Sequence, residues 1–378
     1  MKGTIMAFSV PWYRSLYGLF TVDHARKLML SFFKKKPPKG NNGKINLIWH
    51  VGAGKTGTSS IQYTLHHNQQ LLEKQGFKYL GLMLEGAYNN FYSWQKPALI
   101  EEFHKLTAEE TENSLHQIFQ DTIENARRNG IHTLIWSNES FLGRIEKTRG
   151  ALKKIEELGV TVRTVVYIRQ YEKWAKSAYI QWGINHKTNP GRIIPFREWI
   201  QRRKVNFFEL LKPIIDDAPE SLTVRNMDAV GDTTRDFLKL CHIDFADMAI
   251  HRIYESPALE EIYLRAVFNN RIEDPVLPDR FDSSIRKYLT LNSTPDQFLQ
   301  KILPDNEDLQ FVSDLCKQDR DRMNEYLENH GLDPIASDGY ATDDPKVNTD
   351  IILQTLTEIV MAQALRIGEL EKKMNNIP

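Results

Sequence analysis

The 378-residue chain has few cysteines, no net charge and no long apolar run, and each shortage limits what it can be. Its only cysteines, Cys241 and Cys316, are far apart, which gives no metal-ligand spacing and suits a reducing compartment. With 49 basic and 49 acidic residues, the composition gives no reason to expect a nucleic-acid partner. At 41% apolar residues, the chain can form one large core with extensions.

Charge is balanced overall but not along the chain. Residues 1–44 contain nine Lys or Arg and only one acidic residue, Asp23. Pro11 and charged residues interrupt the apolar residues of this segment, so it has no run of about 18 apolar residues to span a bilayer and no signal-peptide layout. Residues 1–36 could contact an anionic membrane surface, or form a partly disordered or packed arm. We therefore expect a cytoplasmic protein, with peripheral contact at the inner membrane surface as a further expectation.

The most informative segment is an apolar run followed by glycines and hydroxyl residues. Residues 45–50 predict a buried strand, and a turn and helix start follow, with Gly54, Lys55, Thr56, Gly57, Thr58 and Ser59. Glycines let the backbone curl so that amide N–H groups point inward, while the lysine adds positive charge and the hydroxyls add donors. The segment therefore predicts a receptor for a phosphate or sulfate group.

This loop lacks the first glycine of the commonest phosphate-binding loop. The nucleoside triphosphatase pattern Gly-x-x-x-x-Gly-Lys-Ser/Thr needs a glycine at the position that Trp49 occupies. No apolar strand ends in an aspartate that would hold Mg²⁺ in such an enzyme. The sequence therefore predicts a phosphate loop that is not built for ATP, and chemistry that needs no metal.

Strand-like and helix-like segments alternate through the first two thirds of the chain. The predicted strands are residues 45–50, 77–80, 133–136, 160–168 and 222–225, and the predicted helices are residues 58–75, 109–129, 147–158, 171–185, 232–241 and 257–269. This alternation predicts an α/β three-layer sandwich with a central parallel sheet and a helical C-terminal part. Ligands of such sheets bind beyond the carboxyl ends of the strands, where the glycine-rich loop, Glu139 and Arg169 would meet.

The composition divides the chain into a basic arm and linker over residues 1–44, a folded domain over 45–345 and an amphipathic helix over 346–378. The helix has residues spaced alternately by three and four: Leu353, Leu356, Val360, Gln363, Ile367, Leu370 and Met374. This heptad-like spacing could form a homodimer. A helix that folds back onto its own domain is an equal alternative.

A second anion site is suggested by Arg169 at the end of the fourth strand and Ser177 eight residues later, two helical turns on. Together with the loop Lys55–Ser59, this pair resembles the sulfotransferases that use 3′-phosphoadenosine 5′-phosphosulfate (PAPS). That family has a Lys-x-Gly-Thr-Thr/Ser loop for the 5′-phosphosulfate and an Arg with a Ser eight positions on for the 3′-phosphate. The segment His50–Gln62 is most similar to bacterial-type members, and the resemblance extends over roughly residues 45–185.

The resemblance implies that the folded domain transfers a sulfuryl group from PAPS to a hydroxyl or amine, with a carbohydrate or glycolipid as acceptor. Lys55 would reach the bridging oxygen, where negative charge accumulates in the transfer. A base must take the acceptor's proton. Glu139, at a strand end, is the first candidate for this base, and His186, after the helix of Ser177, is the second.

Two other functions remain open from the sequence. A kinase-like phosphotransferase would bind ATP with Mg²⁺, which the missing glycine and missing aspartate disfavour. A non-catalytic protein with a sulfotransferase fold would use the C-terminal helix as its working surface. The presence of Lys55 together with Arg169 and Ser177 disfavours the second alternative.

Overall fold

The computed structural model describes residues 44–253, 257–270, 272–284, 303–336 and 348–375. The basic arm, and with it the expected membrane contact, lies outside these residues. By their contacts, the described residues form two compact units. The first unit comprises those within Met1–Arg169, Asn206–Ile253 and Asp319–Ile335, and the second unit those within Gln170–Val205, Tyr254–Gln318 and Ala336–Pro378. The predicted boundary at residue 345 falls among residues that are not described, so the predicted division into domains stays a prediction.

A five-stranded sheet forms the centre of the first unit. Its strands are β1 (Ile45–Val51), β2 (Phe77–Tyr79), β3 (Thr133–Asn138), β4 (Val160–Ile168) and β5 (Leu222–Asn226). They lie in the order β2-β3-β1-β4-β5, and every neighbouring pair is parallel. Every residue of β3 and all but one residue of β1 are buried, as expected for parallel strands covered on both faces. The predicted α/β class with a parallel sheet is confirmed.

Helices lie between the strands and after the last one. In chain order they are α1 (Thr58–His67), α2 (Gln69–Lys74), α3 (Ile100–Lys105), α4 (Ala108–Arg128), α5 (Ile145–Glu156), α6 (Tyr171–Tyr179), α7 (Phe196–Arg203), α8 (Phe207–Asp217), α9 (Met227–Val230), α10 (Thr233–Leu240), α11 (Leu259–Asn270), α12 (Pro278–Ser284), α13 (Asn306–Leu315), α14 (Lys317–Asn329) and α15 (Thr349–Asn375). Short 3₁₀ segments cover Ser93–Gln95, Pro97–Leu99, Glu139–Arg144 and Pro219–Ser221. The predicted C-terminal helix is thus present as α15.

Both faces of the sheet are covered, which gives the predicted three layers. On one face, Ile48 of β1 and Ile135 of β3 belong to a buried cluster with Ile61 of α1 and Phe237 of α10. On the other face, the ring of Trp136 lies 5.9 Å from that of Phe119 in α4. Successive side chains of a strand point to opposite faces, so the apolar run of each strand supplies both layers of the core.

The predicted helix 58–75 is two helices, because Asn68 interrupts it. The side-chain amide of Asn68 donates to the carbonyl of Thr64 at 2.8 Å, and this local bond competes with the regular helical pattern. The same side chain donates to the carbonyl of Ala249 at 2.9 Å and accepts from its N–H at 3.1 Å.

Two side chains of α1 bond in the same way as Asn68, each to both the N–H and the carbonyl of one residue. Their partners lie in the segment 249–253, called the strap here. Thr64 Oγ1 accepts from the N–H of His251 at 3.1 Å and donates to its carbonyl at 3.5 Å. Ser60 Oγ accepts from the N–H of Ile253 at 3.0 Å and donates to its carbonyl at 3.2 Å. Four helical residues rise ~6 Å and two extended residues ~6.6 Å, so the spacings match. The strap thereby fixes the helix that follows the glycine-rich loop.

In the second unit, the predicted helix 171–185 is α-helical only to Tyr179. Residues Ile180–Asn185 form a π-helix, and the N–H of His186 donates to the carbonyl of Gln181 at 2.8 Å. Gly183 permits this wider turn, since a Cβ there would lie 2.5 Å from the ring of Tyr179. The side chain of Asn269 in α11 holds the same segment by donating to the carbonyl of Ile184 at 2.6 Å.

The strap makes a testable contribution to stability. Asn68→Ala leaves the N–H and carbonyl of Ala249 without their side-chain partner, so we expect the free energy of unfolding to fall by about 1–3 kcal/mol in urea titrations of the full chain. Gln70→Ala, at an exposed neighbouring position, is the control and should change it by less than about 0.5 kcal/mol. Equal effects of the two substitutions would contradict the role of the strap.

Candidate anion-binding and catalytic site

The strand register brings three predicted site segments to one edge of the first unit. Val51, at the end of β1, pairs with Asn138, at the end of β3, so Gly52 and Glu139 follow side by side. A Cβ on Gly52 would lie 2.9 Å from the Cβ of Glu139. On the other side, β1 pairs with β4, whose end is followed by Arg169. The expected meeting of the glycine-rich loop, Glu139 and Arg169 is therefore what the sheet order produces.

The backbone of the loop 52–57 curls through left-handed conformations. Gly54 has a φ of 51°, Lys55 of 60° and Gly57 of 87°. The value at Lys55 is the informative one, because a left-handed conformation costs a residue with a Cβ about 1–2 kcal/mol. Strain of this kind is concentrated at functional sites. Gly57 also lies against Thr233, whose Oγ1 would be 2.3 Å from a Cβ at position 57.

Two threonine hydroxyls in this loop are buried without a hydrogen-bond partner. Thr56 is fully buried and Thr58 is 2% exposed, and the Oγ1 atom of each makes no hydrogen bond. No side chain caps the N-terminus of α1, where the first backbone N–H groups of a helix need partners from outside it. A buried hydroxyl without a partner is costly. An anion bound in the loop would satisfy both hydroxyls and the helix N-terminus.

The charged groups around the loop are electrostatically linked. Arg169 Nη1 donates to the backbone carbonyl of Lys55 at 3.2 Å, which fixes the guanidinium beside the loop. Burial lowers the pKa of Lys55; Glu139 acts to raise it and Arg169 to lower it. Burial raises the pKa of Glu139, against the opposing charge of Lys55. Two cations and one carboxylate thus lie together in a partly buried space, which suits an anionic ligand and a carboxylate more basic than a solvated glutamate.

A buried hydrogen bond joins the strands on which the loop and Glu139 depend. His50 Nδ1 lies 2.8 Å from Ser137 Oγ, and both residues are fully buried. Burial lowers the pKa of His50 to about 3, so its ring stays neutral at physiological pH. Sequence analysis missed Ser137 as a partner of His50, because the two are 87 residues apart and only the sheet order brings them together.

Thr233 and Asp236, both on α10, are further residues near this edge that sequence analysis missed. Thr233 contacts Gly57, as described above. Asp236 forms an ion pair with Arg225 at the end of β5 and accepts a hydrogen bond from the hydroxyl of Tyr167 at 2.8 Å. The apolar periodicity of α10 predicted a helix, but its polar positions carried no signal of which strand end they would meet.

The remaining predicted residues belong to the second unit. Ser177 is half-buried on α6, and His186 is half-buried after the π-helix. Burial and the charge of Arg203 lower the pKa of His186, against the charge of Asp279. The structure thus groups Lys55, Glu139 and Arg169 in the first unit, and the convergence of Ser177 and His186 with them stays a prediction.

Comparisons with known proteins include a distant structural likeness. No protein-family model matches the chain, and no curated protein does. Among solved structures, the chain is similar to the sulfotransferase domain from the Synechococcus PCC 7002 olefin synthase, at 14% sequence identity and a TM-score of 0.28, over 75% of this chain and 98% of that one. A similarity of this size is too distant to assign a substrate or the role of any residue.

No group of three or more His, Cys, Asp or Glu among the described residues is arranged to hold a metal ion. None of the helices in the described ranges is long and apolar enough to cross a membrane.

The unpartnered hydroxyls can be tested by two matched substitutions in α1. Thr58→Val removes a hydroxyl that has no partner in the free protein, so we expect the free energy of unfolding to stay equal or rise slightly, while affinity for inorganic pyrophosphate falls about tenfold. Thr64→Val removes a hydroxyl bonded twice to His251 and should instead lower the free energy of unfolding by about 1–2 kcal/mol with little change in pyrophosphate affinity. Urea titration and calorimetry measure the two quantities. Loss of stability without loss of affinity in Thr58→Val would show that the hydroxyl is structural.

Proposed function

We propose that the chain is a sulfotransferase that moves a sulfuryl group from PAPS to a hydroxyl or amine of an acceptor. The observation that carries the proposal is the pair of buried, unpartnered hydroxyls of Thr56 and Thr58 in the loop that also presents Lys55. The loop sequence resembles the 5′-phosphosulfate loop of this enzyme class. By that resemblance, the proposed acceptor is a carbohydrate or glycolipid.

In this proposal the loop binds the 5′ end of the nucleotide. The amides of Gly57, Thr58 and Ser59, with the hydroxyls of Thr56 and Thr58, hold the 5′-phosphate at the N-terminus of α1. Arg169 and, by the resemblance, Ser177 hold the 3′-phosphate. The donors present suit a doubly phosphorylated nucleotide, because Lys55 and Arg169 supply two separate positive charges beside the loop.

Transfer needs charge neutralisation on one side of the sulfur and proton removal on the other. The acceptor oxygen forms a bond to sulfur while the bond from sulfur to the bridging phosphate oxygen breaks, which leaves adenosine 3′,5′-bisphosphate. Lys55 donates to the bridging oxygen as it becomes negative. Glu139 takes the acceptor proton, and its raised pKa brings its basicity closer to that required at neutral pH.

The selectivity of nucleotide binding tests the proposal that PAPS is the sulfuryl donor. We expect calorimetric titration of the full chain to show binding of adenosine 3′,5′-bisphosphate and no comparable binding of ATP with Mg²⁺, because Arg169 provides for a 3′-phosphate and the loop lacks the triphosphatase glycine. Lys55→Ala should lower transfer by about 10²–10³-fold, whereas Lys44→Ala, which removes an exposed lysine just before β1, should not. Binding of ATP with Mg²⁺ in preference to the bisphosphate would favour the kinase-like alternative.

The pH dependence of sulfuryl transfer tests the proposal that Glu139 is the general base. Glu139 acts only when deprotonated, so activity should rise with pH through its pKa. Since burial raises that pKa, the acidic limb of kcat/KM should lie above the ordinary value of glutamate, about 4.3. Transfer of radiolabelled sulfuryl to a mixture of sugars and glycolipids measures the profile.

Two substitutions then identify the group that titrates. Glu139→Gln should lower kcat by about 10²–10⁴-fold while leaving bisphosphate affinity nearly unchanged, and His186→Gln should leave both close to those of the unmodified protein. A large loss of kcat in His186→Gln, together with an unchanged kcat in Glu139→Gln, would assign the base to His186.

A further inference from the structure

Helix α15 exposes an apolar seam that Gln363 interrupts. Leu353, Leu356, Val360, Ile367 and Leu370 are each between 43% and 66% exposed, although isolated leucine, valine and isoleucine side chains are usually buried. By contrast, Thr355, on another side of the same helix, is only 4% exposed. The helix is therefore covered on one side and uncovered along the seam. Its 27 residues extend over ~40 Å, long enough for about three heptads.

Four of the six described a and d residues of the seam follow the rule for two parallel strands, and Leu353 and Gln363 depart from it. With Leu353 at heptad position a, the later a positions of the described seam are Val360 and Ile367, both β-branched, and the d positions Leu356 and Leu370 are leucines. β-branched residues at a with leucine at d favour a parallel dimer over trimers and tetramers. The remaining d position is Gln363, whose polar side chain interrupts the apolar seam.

Charges in the sequence agree with the same arrangement. Arg366 falls at position g and is exposed, and five residues later the sequence has a glutamate at position e. In parallel coiled coils, g of one helix faces e of the following heptad on the other, where opposite charges favour pairing. Two antiparallel copies would not bring these two positions together.

We propose that the seam of α15 binds a second copy of this chain as a parallel two-stranded coiled coil. The occupant is a second copy because an identical helix in register brings apolar a and d residues together and places Arg366 opposite the glutamate at the following e position. A symmetric pair of this kind is isologous and closes on itself, so it produces dimers without further growth. The proposal does not depend on the sulfotransferase activity.

The oligomeric state of the full chain tests whether the seam pairs two copies of it. We expect sedimentation equilibrium at micromolar concentration to show a dimer, and Ile367→Glu to shift it to a monomer with unchanged thermal unfolding of the rest of the protein. Gln354→Glu adds the same charge one position outside the seam and should remain dimeric. A monomeric unmodified protein, a dimeric Ile367→Glu variant or a monomeric Gln354→Glu variant would each overturn the proposal.

A single cysteine tests the orientation. In a parallel pair in register, position 367 of one copy faces position 367 of the other, so Ile367→Cys should give a disulfide-linked dimer under mild oxidation. The native Cys241 and Cys316 are buried, and the unmodified protein serves as the control for them. Cross-linking that requires Leu356→Cys together with Ile367→Cys, and fails with Ile367→Cys alone, would overturn the parallel orientation.

Discussion

The candidate site depends on the position of β1 in the middle of the sheet. Because β3 and β4 flank β1 in parallel register, the residues that follow all three strands emerge at the same edge. The loop 52–57, Glu139 and Arg169 are distant in sequence, and no local interaction would assemble them. The bond between His50 and Ser137 and the near contact of Gly52 with Glu139 show how closely the strand ends approach each other.

This closeness sets the electrostatics of the site. Burial lowers the pKa of Lys55 and raises the pKa of Glu139, and the opposite charges of these two side chains act against both shifts. The hydroxyls of Thr56 and Thr58 add buried polar atoms without a partner, and no side chain caps the N-terminus of α1. Buried polar groups without partners are unfavourable, and an anion bound as proposed would supply the missing partners. The strap anchors the helix at whose N-terminal end these groups lie.

Much of the fold was predictable because its signals are local. The apolar run Val160–Ile168 gave a strand with the observed bounds, and the alternation of strands and helices gave the parallel sheet. The break at Asn68 was not predictable, because the strap that binds this side chain is some 180 residues away. The change from α-helix to π-helix after Tyr179 was missed as well, since it depends on how the ring of Tyr179 fits against Gly183. The turn and helix start after β1 were predictable from their glycines and hydroxyls, and anion binding there stays a prediction. The contacts of Ser137 depend on the sheet order, and those of Thr233 and Asp236 on how α10 packs against the strand ends, so none of the three has a local signal.

The central claim is that the loop 52–57 and Arg169 bind the two ends of a 3′-phosphorylated nucleotide. A crystal structure of the protein with adenosine 3′,5′-bisphosphate tests it most directly. The account predicts the 5′-phosphate within hydrogen-bond distance of Thr56 Oγ1, Thr58 Oγ1 and Lys55 Nζ, and the 3′-phosphate against the guanidinium of Arg169. A nucleotide bound elsewhere, with both threonine hydroxyls still unpartnered, would contradict it.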